Sequence, residues 1–211
     1  ERSRGLGDVY KRQAHCNLGN ALRALGRLSD AVDTYHKALT VKPHFSEAYS
    51  NLGLTLQALG QLDEAIVNYQ KALDINPKFA KAHLNLSRVL LMCGNYEEGW
   101  REYEWRWRCS SFPLIWRSFS YPQWRGEPVT NKTVLVWSEQ GIGDEIMFAN
   151  PIPDLLADGA KLVLECEERL VPLFARSFQA ATVVARHDPP DKKIGEAQIA
   201  VSYTHLRAHE T

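Results

Sequence analysis

A glycine loop in the second half of the chain carries the residues whose types and spacing best suit chemistry. Residues 138–144 read Ser-Glu-Gln-Gly-Ile-Gly-Asp and directly follow a β-branched run. Gly141 and Gly143 would let the backbone approach a ligand closely, and a helix beginning after them would offer free amide groups to a phosphate or carboxylate. Asp144, directly after the loop, suits a helix N-cap.

The loop does not match the common nucleotide-binding motifs. Asp144 and Glu145 follow the second glycine, so the third glycine of a dinucleotide fingerprint is missing, and no Gly-Lys-Ser/Thr marks a P-loop. A Gly-x-Gly pattern after a strand is a weak signal by itself. We therefore predict a ligand site at this loop, although the motif does not identify the ligand. Its predicted residues are Glu139, Gln140, Gly141 and Gly143.

The segments around the loop predict an α/β fold. Short apolar runs indicate three strands, at residues 133–137, 161–166 and 182–185. Helices are expected over 144–157 and 167–178, with Pro151 and Pro153 kinking or delaying the first. Strand, helix, strand, helix, strand is half of a doubly wound domain, which binds ligands at the carboxyl end of its first strand.

A second set of candidate residues recurs at a fixed spacing in the first half of the chain. An asparagine amide offers both a donor and an acceptor, which suits the backbone of an extended peptide. Every offset in this set is 34 residues. The recurring tripeptides are Asn17-Leu18-Gly19, Asn51-Leu52-Gly53 and Asn85-Leu86-Ser87. The same offset relates Gly26 to Gly60 and Gly94, Tyr35 to Tyr69 and Tyr103, and Pro43 to Pro77.

Each period predicts a pair of helices. Two apolar runs at helical spacing flank Gly26, where the chain must turn, and Pro43 ends the second run. Small residues at Ala31 and Ala65 would let the two helices approach closely. A single pair leaves an apolar face uncovered, so neighbouring pairs are expected to stack.

This pattern resembles the tetratricopeptide repeat (TPR) family, whose fold is a right-handed superhelix, an α-α solenoid. The three repeats are 14–45, 46–79 and 80–106. His15 and His83 depart from the family at the first-helix aromatic position, and Arg106 departs at a small-residue position. The resemblance implies a partner polypeptide and places Asn17, Asn51 and Asn85 in a row along the concave wall. They would bind a peptide there; the alternative is that they bond to neighbouring repeats.

The second half is similar to bacterial proteins that join such repeats to a heptosyltransferase-like domain. The resemblance rests on residues 137–149, Trp-Ser-Glu-Gln-Gly-Ile-Gly-Asp-Glu-Ile-Met-Phe-Ala, and on residues 159–166. It implies a two-lobed GT-B fold, with residues 132–200 as the first part of its Rossmann-like half. It also implies a nucleotide-sugar donor, no metal and no cofactor. By the same resemblance Asp144 lies in the cleft as a candidate base for the acceptor hydroxyl, a role compatible with that of an N-cap. Asn150-Pro151 departs from the relatives, which carry larger helix formers there.

Between these regions, residues 107–131 are rich in aromatic residues and proline without periodicity. We interpret them as an ordered connector that packs on both neighbours.

Both ends of the chain are interpreted as translated cloning sequence. Residues 1–13 and 201–211 can be encoded by one transposase adapter and by its complement, a relation that a natural chain has no reason to show. We therefore expect a fragment of a longer reading frame and read no site from either end.

Composition excludes several classes of function. Lysine and arginine together number 25, as do aspartate and glutamate, so the net charge is zero and gives no footprint for nucleic acid. No apolar run is long enough to span a bilayer, and no signal peptide precedes the repeats. The spacing of the four cysteines suggests neither a zinc pair nor a redox pair. We expect a cytoplasmic protein without a metal site.

Two functions remain open from the sequence. In the first, the parent protein transfers a sugar from a nucleotide sugar to an acceptor docked by the repeats, and this fragment is inactive because the second lobe is missing. In the second, the protein is a non-catalytic scaffold for protein–protein interaction.

Overall fold

The computed structural model of the chain describes residues 2–109, 119, 121–139, 141–187 and 192–206. The chain divides into two compact units, Glu1–Phe112 and Pro113–Thr211.

The first unit consists of helices packed as three consecutive hairpins. Each helix packs most extensively on its hairpin partner, and the second helix of one hairpin packs on the first helix of the next. The expected helical solenoid is therefore confirmed. The helices are α1 (Arg2–Ala24), α2 (Leu28–Val41), α3 (Ser46–Ala58), α4 (Leu62–Ile75), α5 (Ala80–Met92) and α6 (Tyr96–Tyr103).

The same helix-ending motif closes the first helix of every hairpin. Gly26, Gly60 and Gly94 have φ values of 75°, 78° and 81°, in the left-handed region that glycine adopts without a steric penalty. The residue after each glycine donates its N–H back into the last turn, as in a Schellman motif. These bonds run from Arg27 to Leu22, from Gln61 to Leu56 and from Asn95 to Leu90, each 2.9 Å.

Two further glycines let the helices of a hairpin pack closely. A Cβ atom on Gly19 would lie 2.6 Å from the Tyr35 ring, and one on Gly53 would lie 2.9 Å from the Tyr69 ring. Both tyrosines are fully buried. Each ring therefore packs on the first helix at a glycine, because a side chain there would occupy the space of the ring.

A 3₁₀ helix, Glu104–Arg108, follows α6 and packs on α5. The rings of His83 and Trp105 stack, with centroids 3.8 Å apart and 4° between their planes. Arg106 is fully buried, and its guanidinium lies 4.5 Å from the Trp107 ring. The third hairpin thus ends in a 3₁₀ helix, which the first two hairpins do not have.

The second unit contains a sheet of four parallel strands in the order β3-β2-β1-β4. The strands are β1 (Thr133–Trp137), β2 (Lys161–Cys166), β3 (Thr182–Ala185) and β4 (Ile199–Ser202). The first three match the predicted strands residue for residue. The sequence did not predict β4, a four-residue run that crosses the proposed boundary at residue 200.

The helices of the second unit are shorter than predicted. The expected helix over 144–157 is two helices, α7 (Ile142–Met147) and α8 (Ile152–Ala157). Pro151 lies between them and has no N–H to continue the first, so the expected kink is a complete break. The expected helix over 167–178 is a 3₁₀ turn followed by α9 (Val171–Ser177).

The predicted connector, 107–131, lies partly outside the described residues, at 110–118 and 120. Its last part belongs to the second unit: the Trp124 N–H donates to the Ala200 carbonyl at 2.9 Å, beside β4.

The end segments interpreted as cloning sequence lie within regular elements where they are described. Residues 2–13 form the first part of α1. Val201 is buried in β4, and a short helix, α10 (Tyr203–Leu206), follows it. The origin of these residues is a property of the DNA that the fold does not test, so it stays a prediction.

Candidate functional site

The first helices of the three hairpins form a continuous layer. Helix α1 contacts α3, and α3 contacts α5; among the described residues, α2, α4 and α6 have no contact of that extent with one another. Elements on the inside of a curved stack lie closer together than those on the outside. We therefore take the layer of α1, α3 and α5 as the inner face.

The three predicted asparagines lie on these helices but differ in burial. Asn17 is exposed, Asn51 is half-buried and Asn85 is 5% exposed. The Asn51 amide donates to the Cys16 sulfur at 3.5 Å, which is the bond to a neighbouring repeat that the sequence left as the alternative. Asn17 accepts a bond from Gln13 at 3.1 Å. Peptide binding by these asparagines stays a prediction.

The structure adds inner-face residues that sequence reasoning missed. The Tyr35 hydroxyl donates to Asn20 at 2.8 Å, and the Tyr69 hydroxyl donates to Gln57 at 3.2 Å. Both tyrosines come from second helices and reach across the first. The recurring interval of sixteen residues between Gly19 and Tyr35, and between Gly53 and Tyr69, was the signal that could have revealed these pairs.

Burial determines the ionisation of these tyrosines. It raises the pKa of Tyr69, and the positive charges of Arg88 and Arg23 act against that rise. Burial also raises the pKa of Tyr35, against which Arg23 acts. Both hydroxyls are therefore neutral at physiological pH and act as hydrogen-bond donors.

In the second unit, the glycine loop lies at the carboxyl end of β1, as predicted. Gly141 and Gly143 are exposed, whereas Glu139 is 1% exposed; Gln140 lies outside the described residues. Asp144 is half-buried, and its carboxylate accepts the Gly141 N–H at 3.3 Å. It lies in the first turn of α7 and reaches back to the helix start, so it is not itself the N-cap as the sequence suggested.

A buried carboxylate that the sequence reasoning missed holds this loop. Glu145 is 1% exposed and accepts bonds from the Ser138 hydroxyl and, at 2.8 Å, from the Glu167 N–H. Arg186 donates to the same Ser138 hydroxyl at 3.0 Å. The segments that follow β1, β2 and β3 are thereby linked, which fixes the loop between them.

Cysteine chemistry does not fit this edge of the sheet. Burial raises the pKa of Cys166 to about 12, and the charges of Glu145, Glu165 and Glu167 add to the rise. A thiol with such a pKa stays protonated at neutral pH and is a poor nucleophile. Within the part of the chain that the structure describes, no group of three His, Cys, Asp or Glu side chains could hold a metal ion.

Family models match the helical hairpins. Two models described as "Tetratricopeptide repeat" match residues 46–79 and 68–101, and one described as "TPR repeat" matches residues 19–60. Residues 19–101 are tetratricopeptide repeats. The matched segments include the glycine turns and both tyrosine–glycine contacts. The residues matched by the family models are therefore the same ones that form the turns and the helix packing described above.

One curated relative of this chain is Protein FlbA of Caulobacter vibrioides. The two are 40% identical over 95 residues, which make up 42% of this chain and 15% of FlbA. The chain thus spans about 15% of the length of the relative that it matches.

Several solved structures resemble part of this chain. The crystal structure of MamA is 25% identical, with a TM-score of 0.43 over 45% of this chain and 56% of that chain. The Sgt2 TPR domain from Aspergillus fumigatus is 27% identical, with a TM-score of 0.44 over 45% and 63%. The first TPR domain of Spaghetti (RPAP3), solved with the HSP90 peptide SRMEEVD, is 21% identical, with a TM-score of 0.45 over 46% and 76%.

Among the residues that the structure describes, no helix is both long enough and apolar enough to cross a bilayer.

Proposed function

We propose that the TPR hairpins form a scaffold that binds an extended segment of another polypeptide along the inner face. The observation that carries this proposal is the repetition of amide side chains on successive first helices. Asn17 and Asn20 lie on α1, Asn51 and Gln57 on α3, and Asn85 on α5. An amide carries a donor and an acceptor that suit a peptide backbone; Asn17 is exposed, whereas Asn85 is buried.

The spacing of the helices suits an extended chain. Packed helices lie about 10 Å apart, and an extended chain advances about 3.3 Å per residue. A bound peptide would therefore pass from one first helix to the next about every third residue. A residue on each helix would then contact the backbone of the same bound segment.

The proposal is tested with peptides selected from a random library by the full chain. Asn17→Ala and Asn51→Ala should each weaken the binding of a selected peptide about fivefold, the effect of one lost hydrogen bond of about 1 kcal/mol. Asn68→Ala is the matched control, because Asn68 lies on α4 and bonds to the Glu64 carbonyl within its own helix. Affinity is measured by fluorescence anisotropy, and far-UV circular dichroism checks the fold.

Equal losses in Asn68→Ala and the inner-face variants would show that binding does not use this face. Failure to select any peptide would overturn the proposal altogether.

We further propose that the second unit is the first part of a GT-B glycosyltransferase domain in a longer parent protein. In doubly wound sheets, ligands bind at the carboxyl ends of the strands, where the strand order reverses. The glycine loop follows β1, and β1 lies between β2 and β4, the point of reversal in this sheet. The parent would transfer a sugar from a nucleotide sugar to an acceptor docked by the repeats, without a metal or other cofactor, in the cytoplasm.

Asp144 is the proposed base for the acceptor hydroxyl, beside ligand contacts at Glu139, Gln140, Gly141 and Gly143. Asp144→Asn separates this role from the structural one, because an asparagine oxygen can still accept the Gly141 N–H. In the intact reading frame, turnover with a nucleotide-sugar panel should fall at least about a hundredfold. Asp154→Asn, in the first turn of α8, is the control and should keep full turnover. Full turnover by Asp144→Asn would remove the assignment.

The alternative is a non-catalytic adaptor, in which the repeats bind one protein and the second unit supports the assembly. Absence of transfer from every donor by the intact protein, together with normal peptide binding, would favour this function.

A further inference from the structure

The turns between the two helices of each hairpin carry apolar side chains that face solvent. Leu25 is 74% exposed and Leu59 is 40% exposed, each directly before a turn glycine. In the third hairpin, Met92 and Tyr96 are 64% and 53% exposed. Single exposed apolar residues are ordinary on a protein surface, whereas a continuous row of them is typical of a binding surface. The positions that recur at the offset of 34 residues are Leu25, Leu59 and Cys93 before the glycines, and Leu28, Leu62 and Tyr96 after them.

The three turns lie side by side along one edge of the stack. The Asn51 amide donates to the Cys16 sulfur, and the Gln57 amide lies 3.9 Å from the Met92 sulfur; the partners of each contact are 35 residues apart. Successive first helices are therefore parallel and in register, and the turns that follow them occupy equivalent places. We call residues 24–30, 58–64 and 92–98 the turn edge.

The turn edge is acidic as well as apolar. Its one basic residue, Arg27, pairs with Asp30 at 2.7 Å. Among the described residues, Asp63, Glu64 and Glu97 are exposed and form no ion pair. A partner with basic residues beside its apolar ones is therefore attracted to this edge, whereas an anionic membrane surface is repelled. The acidic residues of the turn edge are Asp30, Asp63, Glu64, Glu97 and Glu98.

These carboxylates alone would not indicate a partner. All of them lie in the first turn of a second helix, where an acidic side chain stabilises the helix dipole. Helix stability does not require the exposed leucines beside them. It is the coincidence of the charge with the apolar row that indicates a binding surface.

The spacing of the turns favours a helix over an extended chain as the partner. Packed helices lie about 10 Å apart, so equivalent side chains recur along the turn edge about every 10 Å. A helix rises about 1.5 Å per residue and returns residues seven apart to the same side about every 10.5 Å. In an extended chain the same distance corresponds to about three residues, whose side chains point to opposite sides. Of the two, the helix therefore presents one side chain to each turn.

We propose that the turn edge binds a basic amphipathic helix of a partner protein, whose apolar residues recur every seven positions. The apolar stripe of that helix packs on Leu25, Leu59 and Tyr96, and its basic residues pair with the exposed carboxylates. This surface is additional to the inner face: Leu59 follows Asn51 by eight residues, about 12 Å along the axis of α3. The inference therefore goes beyond the proposed binding of an extended peptide by the asparagines.

The probe is a fluorescein-labelled, alanine-based synthetic helix of three heptads, with leucine once in each heptad and lysine on either side of it. It should bind the full chain saturably in an anisotropy titration. Leu25→Gln/Leu59→Gln should weaken binding at least about tenfold, because glutamine removes the apolar surface from positions that are already exposed. A peptide of the same composition with leucines five positions apart should also bind at least about tenfold more weakly, because its leucines no longer share one face.

The matched control is Val41→Gln/Val67→Gln, which removes two exposed apolar side chains from α2 and α4 away from the turns. It should change affinity by less than about twofold, and circular dichroism should show an unchanged fold in both double variants. Equal weakening by the two double variants would overturn the site. So would equal binding of the peptide with displaced leucines.

The charge of the partner is tested separately. Asp63→Asn/Glu64→Gln should weaken binding about threefold at low salt, and the difference should shrink as salt is added. A peptide with glutamate in place of every lysine should not bind. Equal affinity for the lysine and glutamate peptides would overturn the basic character of the partner helix.

Other occupants of the turn edge give different results. If it joined two copies of the chain, light scattering would show a dimer that Leu25→Gln/Leu59→Gln dissociates. If it contacted lipid, neutral phosphatidylcholine vesicles would bind the chain but not that variant. Either result in place of peptide binding would overturn the proposal. Asn17→Ala should leave binding of the synthetic helix unchanged, so failure of the inner-face function and failure of this inference are distinguishable.

Discussion

Tyr69 connects the packing of the TPR hairpins to their inner face. Its ring occupies the space that a side chain at Gly53 would fill, and its hydroxyl donates to Gln57, one turn further along α3. The same arrangement recurs with Tyr35, Gly19 and Asn20. One small residue and one aromatic residue therefore fix both the distance between two helices and the position of a polar group on the inner face.

Gly53→Ala should destabilise the hairpins because the new Cβ would meet the Tyr69 ring at 2.9 Å. We expect a net loss of about 1 kcal/mol or more, since overpacking costs about 1–3 kcal/mol and alanine recovers part of that through helix propensity. In a Tyr69→Leu background the clash is absent, and the substitution should be neutral or stabilising. Urea unfolding followed by circular dichroism measures both, and equal effects in the two backgrounds would contradict this packing.

Residue roles were predictable from the sequence only where the repeat itself fixes them. The offset of 34 residues placed Asn17, Asn51 and Asn85 on equivalent faces. It could not show that Asn51 bonds to Cys16, because that contact depends on how neighbouring hairpins stack. Glu145 was missed for a similar reason: an acidic residue in the first turn of a helix is usually solvated, and only the ends of β2 and β3 bury this one.

At the scale of elements, the hairpins and three strands were predictable because local signals agree with the fold. Glycine at the turns, proline after the second helix and β-branched runs all act within a few residues. Pro151 predicted a kink or a delay of the first helix. That the helix breaks completely, and that a 3₁₀ turn precedes α9, depends on how short helices pack on the sheet. The fourth strand has only four residues, too few for a periodic signal.

The stacking of the hairpins predicts that replacing equivalent leucines by alanine lowers the free energy of unfolding by different amounts. Leu52 on α3 is 1% exposed, whereas Leu18, at the same repeat position on α1, is 51% exposed. Leu52→Ala should therefore destabilise the hairpins by about 2–5 kcal/mol, and Leu18→Ala by less than about 1 kcal/mol. Chemical unfolding of the two variants measures the difference. Equal losses would mean that the preceding hairpin does not bury the middle one as described.

At the scale of the whole molecule, zero net charge conceals an uneven distribution of charge. Along residues 14–24, 46–58 and 80–92 the first helices carry more basic than acidic residues, whereas the second helices are predominantly acidic. Composition alone does not show this difference between the helix layers. The two compact units also divide the proposed functions: polypeptide binding is proposed for the helical repeats, and nucleotide-sugar binding for the loop of the parallel-sheet unit.

Backbone NMR of the full chain, titrated with a peptide selected by it, tests the central claim most directly. If the inner face is the binding site, amide shifts should change on α1 from residue 14 onward, on α3 and on α5. Changes confined to α2, α4 and α6, or to the second unit, would contradict the account.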